Sequence, residues 1–142
     1  MKISLAKLAK EKEVRHADLT IEERLPAHLS MACHLSCDYW VEATADNYIL
    51  LRMSTKGSIE IVCQRCLHVF PCDYHHETQL AVCLNDAIAE KLMEQYECMV
   101  SDNYTINLAE LITDELHLNT PEKHLDPATC DSDVKRYIHD II

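Results

Sequence analysis

The chain has 142 residues, 48% of them hydrophobic, which suits a single domain spanning residues 1–142 around one core. No apolar run approaches the roughly 20 residues of a membrane-spanning helix, and Met1-Lys2-Ile3-Ser4-Leu5-Ala6-Lys7 lacks the apolar stretch of an export signal, so a cytoplasmic protein is expected. The net charge of −11 sits in residues 72–142, with four Lys/Arg against fifteen Asp/Glu, while residues 1–71 balance at nine each, so the second half repels phosphate.

In chain order, Lys10 to Glu13 and Thr20 to Arg24 are charge-rich and read as helical or loop surface. Leu35, Cys37, Tyr39, Val41 and Ala43 then alternate with Ser36, Asp38 and Glu42, the pattern of a half-buried strand. Thr44-Ala45-Asp46-Asn47 reads as a turn and Tyr48 to Ser54 as a second strand. Lys56-Gly57-Ser58 reads as another turn, in which the only glycine supplies positive φ. Ile59, Ile61 and Cys63 share one face of a third strand. A fourth runs from Phe70 to Leu84 by alternate residues, with Pro71 marking an edge or a bulge. Together these predict an antiparallel meander, open or curled toward a barrel, with Cys63-Gln64-Arg65-Cys66 in the connection between its last two strands.

The period changes in the second half. Leu84, Ile88, Leu92 and Tyr96 repeat every four residues behind Asn85-Asp86, predicting a capped helix of about three turns. Cys98 to Val100 allows a short strand. Asn107 with Glu110 three residues on is an N-cap signature, and Leu108, Leu111, Ile112 and Leu116 form the stripe of a helix stopped by Pro121. Val134, Tyr137, Ile138 and Ile141 mark one more amphipathic helix. The fold class expected is α+β, an antiparallel sheet packed with helices from the C-terminal half.

Two thiols three residues apart can grip one metal ion or close one disulfide. Structural zinc takes four ligands, so Cys63 and Cys66 need two more. Cys72 and His68 are near in sequence. His124 and Cys130 lie in a proline-bracketed loop after the last capped helix and supply a loose half-site. The zinc set expected is therefore Cys63, Cys66, His124 and Cys130. A thioredoxin-like redox pair would need a helix starting at its first thiol, whereas Leu67-His68-Val69-Phe70-Pro71 continues as strand. Cys37, Cys83 and Cys98 read as small hydrophobes in the core. One glycine in 142 residues argues against a nucleotide cradle. His75-His76 reads as one exposed and one inward side chain on a strand.

Val62-Cys63-Gln64-Arg65-Cys66-Leu67, followed by an acidic stretch and by Ile106-Asn107-Leu108-Ala109-Glu110-Leu111-Ile112-Thr113-Asp114-Glu115-Leu116 running into Pro121, His124 and Cys130, resembles the YceD family of large ribosomal RNA subunit accumulation proteins. The order and spacing match over roughly residues 55–130. Many relatives carry a second cysteine pair after the helix, where this chain has His124 and Cys130. The resemblance implies a non-enzymatic factor needed for normal amounts of 23S ribosomal RNA. One expectation is an adaptor for ribosomal RNA or a basic ribosomal protein, with Arg65, Arg52 and Lys56 as its binding residues and the acidic half meeting a basic partner. The alternatives are a thiol-based redox or zinc-binding protein using the paired cysteines, and a protein-interaction module without RNA contact.

Overall fold

The computed structural model describes residues 1–45 and 47–124. Cys130 and the helix read over Ser132 to Ile142 lie outside the described residues. The chain begins with β1 (Lys2–Ser4) and α1 (Leu5–Glu11), whose N-cap Ser4 accepts the Lys7 N–H and whose Leu5 and Leu8 are buried. Then come β2 (Arg15–Ile21), β3 (Cys33–Ala45), β4 (Tyr48–Val62), β5 (Val69–Cys83), α2 (Asp86–Leu92), β6 (Glu97–Val100), β7 (Thr105–Asn107) and α3 (Leu108–Asn119).

β2 to β5 form an antiparallel meander, as the fold class predicts, but the stretch read as four strands from Leu35 to Leu84 supplies only three of them and β2 is the fourth; β6 adds in parallel to β5. The order β2-β3-β4-β5-β6 leaves β2 and β6 as outer strands, so the sheet is open and does not close into a barrel. β1 pairs with β7 in a separate antiparallel ribbon, and α1 and α3 start at its opposite ends: Leu5 N–H donates to the Tyr104 carbonyl and Leu108 N–H to that of Met1, both at 2.9 Å.

Gly57 corrects the reading of the meander. It does not turn the chain, since β4 runs unbroken through it and its φ is not positive. A Cβ there would lie 2.6 Å from the His34 carbonyl oxygen and 2.7 Å from Leu35 Cδ2. Glycine is present because β3 crosses too closely for any side chain. The second and third strands of the sequence reading are therefore one strand of 15 residues, matched along its length by β5 from Tyr48↔Cys83 to Val62↔Val69.

One face of the sheet carries the core. Leu35, Cys37, Leu51, Met53, Ile59, Ile61, Leu80 and Val82 pack there with Leu5 and Leu8 of α1 and with Leu108, Ile112 and Leu116 of α3. Each fully buried aliphatic side chain contributes about 1.5–3 kcal/mol. α3 starts as expected, with Asn107 Oδ1 accepting the Glu110 N–H at 3.2 Å. α2 has its expected cap, Asn85, but ends at Leu92, short of the predicted three turns; Gln95 and Tyr96 both donate backward to the Leu92 carbonyl. Among the described residues no helix is long and apolar enough to cross a membrane.

Candidate metal centre

β4 and β5 would part at Val62 and Val69 without a closing turn, and the paired thiols build it. Cys63 N–H donates to the His68 carbonyl at 3.0 Å and Leu67 N–H to the Cys63 carbonyl at 2.7 Å, with Leu67 at φ 64°. That left-handed residue reverses the chain within the turn. The backbone N–H groups of Arg65 and Cys66 consequently face the Cys63 sulfur.

The loop after α3 closes over this turn. Gln64 N–H donates to the Glu122 carbonyl at 2.8 Å, and His124 N–H donates to Cys63 Sγ at 3.4 Å. The His124 ring stacks on Phe70 with centroids 4.0 Å apart, which brings its Nδ1 to 3.6 Å from Cys66 Sγ. The donor atoms of Cys63, Cys66 and His124 all lie within 4.8 Å of one another. Cys63 is 0% and Cys66 3% exposed. Burial alone would raise the Cys63 pKa, but the N–H groups of Cys66, His124 and Arg65 together outweigh it and hold the thiol at about 5. Three hydrogen-bond donors on one sulfur favour the thiolate, the form that ligates.

This donor set fits zinc. Zinc bonds of about 2.3 Å to sulfur and 2.0 Å to nitrogen place tetrahedral S and N ligands about 3.5 Å apart, close to the 3.6 Å between Cys66 and His124. The residues present supply two thiolates and one imidazole; Cys130, the expected fourth, lies outside the described residues. Cys72 is on the core face of β5 and His68 closes the turn, and neither joins the cluster. No helix starts at the first thiol, so the lowered Cys63 pKa comes from the N–H groups of the turn and of His124 and not from a helix dipole.

His28 is a positioning residue that no local sequence pattern marks. Its carbonyl accepts the Val62 N–H at 2.7 Å and its Nε2 meets Thr120 Oγ1 at 2.6 Å, so it ties the end of β4 to the end of α3 just before the loop that carries His124. Thr120 also bonds back to the Leu116 carbonyl.

The three basic candidates are not brought together. Arg52 and Lys56 share the outer face of β4, about 13 Å apart along the strand, and Arg65 in the turn is roughly 20 Å beyond Lys56. Arg52 lies 3.5 Å from a Glu42 carboxylate oxygen and 4.0 Å from one of Glu77. Lys56 is exposed opposite His75, and Arg65 is half-buried.

A family model described as large ribosomal RNA subunit accumulation protein YceD matches residues 51–137. That span takes in the turn, β5, all of α2 and α3, and the loop bearing His124. No curated protein and no solved structure matches the chain.

Proposed function

The chain belongs to the YceD family of large ribosomal RNA subunit accumulation proteins, and on that premise we propose that it is a non-enzymatic adaptor in large-subunit biogenesis that holds a basic ribosomal protein. The observation that carries this reading is the charge: fifteen acidic against four basic residues over 72–142, with Arg52 already engaged by Glu42 and Glu77. Such a surface attracts a cationic protein and repels free RNA. Zinc held by Cys63, Cys66 and His124, with Cys130 as fourth ligand, would fix the loop after α3 to the β4–β5 turn. Its chemistry there would be structural, holding two buried thiolates and a half-buried imidazole together.

Purification of the chain from cell lysate, with and without nuclease, tests the reading. A basic large-subunit ribosomal protein should stay bound after nuclease treatment. Loss of every ribosomal protein with the RNA would overturn it and favour direct RNA contact. In that case reversing Arg65 and Lys56 together should weaken RNA binding and flatten its salt dependence.

A further inference from the structure

β5 is longer than the strand beside it. β4 pairs with it from Val69 to Cys83, but β6 pairs only from Leu80 to Cys83, and among the described residues nothing pairs with the other edge of β5 from Val69 to Gln79. Which backbone groups face that edge follows from three hydrogen bonds at the ends of the ladder. The Cys83 carbonyl accepts the Ser101 N–H, on the side of β6. At the other end, Val62 N–H donates to His28 and the Glu60 carbonyl accepts the Ser30 N–H, so in the pairs Val62↔Val69 and Glu60↔Pro71 the β4 residues turn their backbone groups away from β5. The register has no shift, and orientation alternates along a strand. Val69, Pro71, Asp73, His75, Glu77 and Gln79 therefore direct their backbone groups outward. Pro71, with no N–H, occupies one of these outward positions, the only kind that tolerates it without loss to the ladder.

The same residues define the charge of the edge. Asp73, His75 and Glu77 are exposed on the outer face, and His76 on the other face meets Glu115 at 2.9 Å. No Lys or Arg occurs from residue 66 to residue 90, while Asp73, Glu77, Asp86 and Glu90 do; the cations of β4 on the same face are Arg52, shared between Glu42 and Glu77, and Lys56 opposite His75, both one strand in from the edge. Edge strands are commonly blunted by lysine, and this one is not.

We infer that the Val69–Gln79 edge of β5 is a docking site for an extended basic polypeptide segment, which adds as a strand. Its backbone pairs with the outward groups of Asp73, His75, Glu77 and Gln79. Its basic side chains on the outer face meet Asp73 and Glu77, and apolar ones on the other face lie beside Phe70 and Cys72. This surface deepens the reading of a basic protein partner and rests on it.

The probe is a labelled peptide of about ten residues alternating Lys and Val, enough to cover the edge, with a Glu-Val peptide and a single-stranded RNA as comparisons, all added to the full chain. The Lys-Val peptide alone should bind, weaken with added salt, and slow hydrogen exchange of the Asp73, His75 and Glu77 amides. Glu77→Lys should weaken it through charge. His75→Pro, which removes an outward N–H without touching the ladder to β4, should weaken it roughly tenfold, as loss of one or two edge hydrogen bonds implies.

Equal binding of the Glu-Val peptide, protection of the same amides by RNA, or unaltered exchange of those amides on binding would overturn the proposal. So would their slow exchange in the free chain, which would mean that residues 125–142 or a second copy already cover the edge. Exchange on the unmodified chain keeps the test decisive if His75→Pro fails to fold. The peptide contains nothing ribosomal, so its failure beside a nuclease-resistant ribosomal partner would remove this edge and leave the adaptor reading standing.

Discussion

The two ends of the β4–β5 ribbon share one continuous register but are held by different physics. At the Tyr48↔Cys83 end, Leu50, Ala81 and Cys83 are buried beneath Ile88, Ala89 and Leu92 of α2, with Tyr96 and Cys98 completing the cluster. At the Val62↔Val69 end the main core reaches Ile61 and Phe70, and beyond them the buried cluster among the described residues is Cys63 and Cys66, with Phe70 beside it. The first end closes by removing apolar area from water. At the tip of the second, the described residues bury two sulfurs under N–H···S bonds and a stacked imidazole, three donors that could hold a metal ion. One end of the long hairpin is thus capped by a helix and the other by a turn with sulfur and imidazole donors.

The comparison breaks most visibly at the thiols. Cys63→Ser with Cys66→Ser should remove roughly 4 kcal/mol of stability at metal levels about a thousandfold above Kd, and a chelator should shift the melting temperature of the parent chain but not of the double variant. Leu50→Ala, at the other end, should cost about 3 kcal/mol and leave the chelator shift intact. Loss of that shift would show that the two ends are not independently held. Gly57→Ala, between them, should cost about 2 kcal/mol in urea unfolding, because its Cβ meets the backbone of β3. The smallest effect concerns His16, whose pKa is raised first by its hydrogen bond to Asp38 and then by that to Asp18. The interaction is fully present below the ordinary histidine value and fades as pH rises through the raised one. Asp38→Asn should lower the His16 midpoint in an NMR titration while the melting temperature stays put.

Much of this fold was legible because alternation and caps are local. Leu35 to Ala43, Phe70 to Leu84, and Asn107 with Glu110 each state their structure within a few residues, and the structure agrees. Gly57 misled for the opposite reason. Its meaning lies in a carbonyl of another strand, and a glycine between Lys56 and Ser58 looks like a hairpin turn until that neighbour is known. In the N-terminal stretch Leu5 and Leu8 are two apolar residues among lysines, too few to announce α1. The alternation of Ala17, Leu19 and Ile21 in β2 was readable but lay beside charged residues that suggested surface. For the site, residue type named Cys63, Cys66 and His124, whereas only the fold could show His124 stacked on Phe70 and held near both sulfurs. Lys56, Arg52 and Arg65 looked like neighbours when β4 was read as two short strands, and the unbroken strand spreads them out.

Metal content and loop protection, measured together on the purified chain, test the thiol end most directly. About one zinc per chain is expected, with chelation exposing Cys63 and Cys66 to thiol reagents and opening the bond between exposed Lys123 and half-buried His124 to trypsin. A metal-free chain whose Cys63 and Cys66 titrate as free thiols, while that bond stays protected, would contradict it.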